Sequence, residues 1–288
     1  MLALSAGDYQ LALAPERGGS ILRFDWRGQP LMRPACGPSI LDVACFPLVP
    51  FSNRIAHGRF VADGREVTLR PNFPSVDHLH PLHGFGWLAD WSVADSTASS
   101  VTLLHDCPAG EWPWPYLASE SFALDEGGLT ISLSVTNLGA SAMPGGLGLH
   151  PYFPRQAQTV YRGLHRGEWR NGDDGLPLAL HEKGAPDDWW RGKPVATRTV
   201  DTAYTGRAGN LEIAWPERDL ALTLEPSDNL AFTVVYTPAG EDHFCVEPVS
   251  HMTDAVNRPG EGTGLAMLAP GVTMSASLRL RAATLDRI

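Results

Sequence analysis

Apolar and polar residues alternate over short runs along most of the chain. The runs Ile21 to Trp26, Val101 to Leu104, Phe122 to Leu124, Leu129 to Val135, Leu220 to Leu224, Phe232 to Tyr236 and Met274 to Leu280 each have the length and period of a β-strand. Between them lie turn-forming clusters such as Ala14-Pro15-Glu16-Arg17-Gly18-Gly19, Asp125-Glu126-Gly127-Gly128 and Pro238-Ala239-Gly240. No window of a dozen residues keeps a 3.6-residue period. The pattern predicts an all-β, large antiparallel β-sandwich. Strand spacing runs from end to end without a linker or a change of composition, so a single domain over residues 1–288 is expected. The stretch Tyr161 to Val200, mixed in glycine, tryptophan and charge, is expected to be loop with little regular structure.

Composition sharpens this. Apolar residues make up 43% of the 288 positions and charged ones 19%, enough for a sizeable core. The 29 glycines and 24 prolines exclude a helical bundle. The net charge of −10, without a basic run, excludes nucleic acid as a partner. Gly127 to Leu149 carries no charge over a membrane-spanning length, but Thr130, Ser132, Ser134 and Thr136 alternate through it and Pro144-Gly145-Gly146 follow, so it reads as a strand and a turn. No membrane association is expected. Met1 to Gly19 has no basic region before an apolar stretch, and no Asn-x-Ser/Thr sequon occurs. Cys36, Cys45, Cys107 and Cys245 are too few and too scattered for a disulfide scaffold. These features point to the cytoplasm and to free, mostly buried thiols.

Four segments carry candidate chemistry. In Pro47 to Ile55, Asn53 and Arg54 follow a proline-stiffened apolar stretch, where a guanidinium could fork two hydrogen bonds onto a polar ligand or form a surface ion pair. In His78-Leu79-His80-Pro81-Leu82-His83-Gly84 the His78/His80 pair would share one face of a strand and suggests a metal, yet only Asp90 follows as a carboxylate. His83 is instead a candidate for contact with substrate. In Gly145 to Pro154, His150 ends an apolar, glycine-rich strand beside Tyr152 and Phe153, where burial can tune an imidazole. In Phe244 to Asn257, Glu247 stands in an apolar strand that Pro248 is expected to end. A carboxyl there is either paired to an arginine or desolvated into a general base.

In this order, Asn53-Arg54, His83-Gly84, His150-Pro151-Tyr152-Phe153, Val200-Asp201 and Glu247-Pro248 followed by Asp254-Ala255-Val256-Asn257 resemble the signature of the aldose 1-epimerase (galactose mutarotase) family. The resemblance implies a galactose mutarotase-like sandwich acting on a free monosaccharide, a hexose such as galactose or glucose, with no cofactor and no metal. It implies Glu247 as general base on the anomeric hydroxyl and His150 as general acid on the ring oxygen. Arg54 and His83 would bind and orient the sugar, Asp201 would accept bonds from its hydroxyls, and Asn53 would assist. An acid and a base on opposite sides of the sugar would open the ring and reclose it on the other face. Trp87, Trp26 or Trp112 could stack on the pyranose. Members of the family carry Leu-Pro-Thr-Gly upstream of the aspartate, where this chain has Gly175-Leu176-Pro177-Leu178. The Pro47 to Ile55 and His80 to Trp87 stretches look most like a bacterial subgroup of the family. Rival readings are a non-catalytic sugar-binding module of the same fold and a metal-dependent, cupin-like sugar isomerase resting on His78, His80 and His83. The sequence leaves the oligomeric state open.

Overall fold

A computed structural model of the chain describes residues 1–182, 187–258, 260 and 262–285. Two large antiparallel sheets face each other. The eleven-stranded sheet runs Leu2–Ala6, Tyr9–Ala14, Ser20–Trp26, Cys45–Leu48, Gly148–Pro154, His243–Val249, Phe232–Tyr236, Asp201–Thr205, Gly167–Asn171 and Pro177–His181, with Gln29–Pro30 attached to Ser20–Trp26. The nine-stranded sheet runs Lys193–Pro194, Val160–Leu164, Ala208–Trp215, Leu220–Pro226, Thr273–Ala283, Gly128–Asn137, Tyr116–Asp125, Ser100–Cys107 and Ser92–Ser96. The expected single-domain, all-β sandwich is therefore observed. Among the described residues no helix is long and apolar enough to cross a membrane.

The core between the sheets follows from period-two patterning. In Gly128–Asn137, Leu129, Ile131, Leu133 and Val135 are buried while Thr130, Ser132, Ser134 and Thr136 are half-exposed on the other face. These side chains meet Leu11, Phe24, Leu149 and Val246 of the larger sheet in one apolar cluster. The centre of the larger sheet is different, because both of its faces are covered. Along His243–Val249, buried from Phe244 onward, Phe244 and Val246 point into that core, while Cys245 and Val249 join a second cluster with Phe46, Leu48, Tyr152 and Val234. Leu82, Trp87, Met252 and Ala255 roof this second cluster. A strand buried on both faces loses its polar alternation, which is why His243–Val249 and Gly148–Pro154 read as continuous apolar runs.

Two expectations are corrected. The stretch from Tyr161 to Val200 is not mostly loop: it holds Val160–Leu164, Gly167–Asn171, Pro177–His181 and a helical turn at Asp187–Trp190. Its strands are five residues or shorter, so no run was long enough to show a period; residues 183–186 of the stretch lie outside the described ones. Pro248 does not end its strand either. It pairs with Thr233 of the neighbour, and the strand continues to Val249.

Leu278 is fully buried on Thr273–Ala283, between Gly128–Asn137 and Leu220–Pro226. Leu278→Ala should lower unfolding stability by about 2–5 kcal/mol through lost burial and the cavity left behind. A shift in denaturant midpoint at constant slope checks it; a change below about 0.5 kcal/mol would contradict the core drawn here.

Candidate active site

The second, roofed face of the larger sheet holds a cavity of about 180 Å³, and Asn53, Arg54, His83, His150, Asp201 and Glu247 all line it. Adjacent strands supply the floor. The register sets Gly148 opposite Val249 and Tyr152 opposite Cys245, which brings His150 alongside Glu247. Their closest atoms, His150 Nε2 and Glu247 Oε1, are 3.4 Å apart, with side chains 9% and 3% exposed. Phe46, opposite His150 on the next strand, stacks on the imidazole at 4.5 Å, and Tyr152 lies 4.8 Å from the imidazole and 6.2 Å from Phe46. The three rings therefore form one aromatic cluster, and the imidazole packs against both neighbours. Tyr236 and Asp201 pair across neighbouring strands and complete the floor.

The wall above is loop, and its backbone is held in the left-handed region at Asn53 (φ +57°) and His83 (φ +59°). These two residues bind each other: the His83 N–H donates to the Asn53 carbonyl at 2.9 Å, and the Asn53 N–H donates to His83 Nδ1 at 3.2 Å. Accepting at Nδ1 leaves the proton of neutral His83 on Nε2, free to donate. The His83 ring meets His150 edge-on at 5.2 Å and Trp87 at 5.3 Å. Asn72 fixes this turn with three bonds: its amide donates to the Leu82 and Gly84 carbonyls, and its oxygen accepts from the Leu82 N–H, all at 2.8 Å. Gly84 permits the close approach to Val49, because a Cβ there would sit 2.1 Å from the Val49 carbonyl oxygen.

Arg54 is tethered on several sides. Its Nε donates to Asp77 at 2.8 Å, its Nη1 lies 3.3 Å from the Asn53 side-chain oxygen and 3.7 Å from Asp201, and its carbonyl accepts from the Asp254 N–H at 3.0 Å. Asp254 also accepts from the Ala56 N–H at 2.9 Å and from the Asn257 amide at 2.8 Å. The Asp254-Ala255-Val256-Asn257 motif therefore serves as a brace for the arginine loop. Neither bland alternative holds: Arg54 is not a surface ion pair, its side chain being 17% exposed, and the near neighbour of Glu247 is a histidine and not an arginine.

The electrostatics follow from burial. Desolvation holds the Glu247 carboxyl well above the usual carboxylate range; Asp201 adds to the rise and Arg54 opposes it. Desolvation also pushes His150 down to about 3, and His83 well below the usual imidazole value. Burial thus acts on both groups in one sense, disfavouring the Glu247 carboxylate and the His150 imidazolium alike. Asp77 is lowered: burial raises it, but the Arg54 hydrogen bond and the His80 and Leu79 N–H groups outweigh burial.

The structure brings together all six residues singled out in the sequence. Trp87 lines the cavity as well, whereas Trp26 and Trp112 do not. His150 and Glu247, expected on opposite sides of a sugar, stand side by side on the floor. The His78/His80 pair lies on a loop, His78 exposed and His80 buried away from the cavity, with its Nδ1 accepting the His57 N–H at 2.9 Å. Among the described residues, the groups of converging donor atoms are His150–Cys245–Glu247 and Glu241–Asp242–His243. Neither contains His78, His80 or His83, so the cupin-like ligand set does not assemble. Residues that sequence reasoning missed are Asp77, Asn72 and Tyr236. Asp77 had one local signal, a short acceptor placed to cap the N–H groups two and three residues on; Tyr236 had none.

The two-sheet antiparallel architecture is that of galactose mutarotase-like proteins. The chain belongs to the aldose 1-epimerase family, whose model, described as aldose 1-epimerase, matches residues 1–281. The uncharacterised protein YphB of Escherichia coli K12 is 36% identical to it, over 96% of this chain and 97% of that one. A crystal structure from Escherichia coli K12, described as a candidate aldose 1-epimerase, superposes with a TM-score of 0.90 at 34% identity and covers 98% of both chains. At the level of fold alone, a galactose mutarotase-like protein from Clostridium acetobutylicum gives a TM-score of 0.88 at 18% identity, covering 98% of this chain and 95% of its own.

Asn72→Ala removes all three clamps on the His83 turn and leaves a buried N–H and two carbonyls without them. It should cost about 1–3 kcal/mol of stability and speed hydrogen exchange at the Leu82 amide. Unchanged exchange at that amide would show that the turn holds itself.

Proposed function

We propose that the protein is an aldose 1-epimerase that interconverts the α and β anomers of a free aldose, a hexose such as galactose or glucose. The observation that carries this reading is the buried His150–Glu247 pair, 3.4 Å apart in a cavity that also holds Arg54, His83 and Asp201. The anomeric oxygen and the ring oxygen are both bonded to C1. An acid and a base that serve them simultaneously must therefore stand close together, which a side-by-side pair satisfies.

Burial disfavours both the Glu247 carboxylate and the His150 imidazolium, so the proposed cycle starts with the pair's proton on Glu247. Sugar hydroxyls, with the Arg54 guanidinium and the His83 Nε2–H, supply the polarity that favours transfer of that proton to His150. The resulting carboxylate takes the proton of the C1 hydroxyl as the imidazolium protonates the ring oxygen, the C1–O5 bond breaks, and the aldehyde forms. Rotation about C1–C2 presents the other face. Closure runs the transfers in reverse, His150 regaining its proton from the attacking hydroxyl and Glu247 returning one to the new anomeric oxygen. Arg54 and His83 are placed to donate to oxygens whose charge rises during opening, and Asp201 accepts from hydroxyls at the mouth. The proton transfers use no metal and no organic cofactor. Free thiols at all four cysteines suit a cytoplasmic setting.

Glu247→Gln and His150→Asn should each lose about 10² to 10⁴ of turnover with folding intact, and the double variant should be little worse than the poorer single one, because the two groups act in one event. NMR exchange between anomers measures this. Near wild-type exchange in a folded Glu247→Gln protein would leave a sugar-binding module as the better reading.

The pH profile should be broad. Activity should fall on the acid side only as a second proton reaches His150, near pH 3, and on the alkaline side as the raised Glu247 carboxyl gives up the pair's single proton. Loss of kcat/KM at pH 6 to 7 on the acid side, as an ordinary imidazole would give, would contradict the assignment.

A further inference from the structure

Beside the cavity of His150 and Glu247 lies a second, larger hollow of about 380 Å³, and Leu41, Tyr152 and Tyr236 line both spaces. The sheet gives its direction. Tyr152 follows His150 by two residues and His243 precedes Glu247 by four, on the same faces of paired antiparallel strands. At about 3.3 Å per residue, the hollow begins one side-chain row past the acid–base pair and reaches about 13 Å from it. Small-molecule sites commonly enclose about 300–1,000 Å³. The inner cavity, at about 180 Å³, falls short of that alone.

The lining suits an uncharged polyhydroxylated ring. The Tyr152 ring stands as a wall, with the Arg33 guanidinium 4.3 Å from its centre and the His243 ring at 5.4 Å. Arg33 is the cation of this hollow, and it is already committed: its Nη2 donates to the Leu41 and Val43 carbonyls at 2.6 and 2.9 Å, and its Nη1 lies 3.3 Å from His243 Nδ1. Asp42, Glu241 and Asp242 face the same space. Three carboxylates against one engaged arginine repel a phosphate or a uronate but accept hydrogen bonds from hydroxyls.

We propose that this hollow is a second glycosyl subsite and that the chain acts best on a reducing disaccharide. The reducing ring meets His150 and Glu247, and the second, uncharged ring lies against Tyr152, His243 and Asp242. The inference rests on the anomer-exchange reading above and specifies its substrate class.

Anomer exchange followed by NMR across galactose, glucose, lactose, maltose, cellobiose and glucose 6-phosphate tests it. The expected result is at least one disaccharide whose kcat/KM exceeds that of its own reducing monosaccharide by about tenfold or more. Cys36→Trp, a filling substitution at an exposed position on the rim, and His243→Ala should each bring that ratio back towards one. Monosaccharides faster than every disaccharide, or the phosphate ester fastest of all, would overturn the proposal. Absence of exchange with every reducing sugar would instead sink the anomer-exchange reading. In that event, titration with methyl glycosides, which cannot open, judges the subsite alone. Tighter binding of methyl β-lactoside than of methyl β-glucoside, lost in Cys36→Trp, upholds it, and equal binding rejects it.

Discussion

A carboxyl and an imidazole 3.4 Å apart, both under a tenth exposed, cannot each be charged in an apolar layer without help. The arrangement around them answers this one difficulty. Burial beside Phe46, Tyr152 and the roof disfavours an ion on either group, and the same low-polarity surroundings make the pair responsive to whatever polar molecule enters. Among the described residues Arg54 brings the one guanidinium to the cavity lining, at the wall, matched by Asp77 beside it and by Asp201 at the mouth. The cavity is therefore polar at its rim and nearly uncharged at its floor. Neutral hydroxylated molecules suit that gradient and anions do not.

Rigidity of the wall comes from backbone clamps and not from regular structure. Asn53, His83 and Asp254 all adopt left-handed backbone, and each is tied at once: Asn53 and His83 to each other, the His83 turn to Asn72, Asp254 to the Arg54 carbonyl and the Ala56 N–H. Non-glycine residues in that region persist where the surroundings over-determine them. Loops of this length could not otherwise keep a guanidinium and an imidazole aimed at one spot. His251 does similar work below, its Nε2 accepting the Ser52 N–H at 3.1 Å and its Nδ1 bound to the Met252 carbonyl at 2.7 Å.

Much of this was legible in the chain itself. Strands with one face on the intersheet core, such as Gly128–Asn137, advertise their period, and the composite of short motifs located all six cavity residues named from it. What stayed hidden is what long-range pairing decides. Cys45–Leu48, Gly148–Pro154 and His243–Val249 are neighbours in the sheet though nearly a hundred residues separate each from the next, so nothing local could reveal that His150 and Glu247 stand side by side. Asn72 was unreadable, and Asp77 legible only as a local cap, for the opposite reason. Their roles are to hold backbone and a guanidinium from within a loop, and a loop has no period to betray which of its polar residues points inward. The histidine pair misled because alternation was assumed for a segment that is not a strand.

Three neighbouring strands at the centre of the larger sheet each carry a proline close to the acid–base row: Pro47, Pro151 and Pro248. Central strands normally exclude proline, which removes a donor from the ladder. Between Gly148–Pro154 and His243–Val249 the paired rows are Gly148 with Val249 and then Tyr152 with Cys245, so regular pairing lapses at the row of His150 and Glu247 itself. The lapse is confined. Phe244 and Val246 stay fully buried on the far face, and Phe153 and Phe244 still pack ring to ring at 5.7 Å. A sheet held on that side by its core can give up ladder bonds on one row, and where it does so its backbone is freed from strict pleat geometry. That freedom lets two side chains from adjacent strands converge on one point of the cavity, so the rule that central strands avoid proline is broken at the place where the chemistry needs a deviation from a regular sheet.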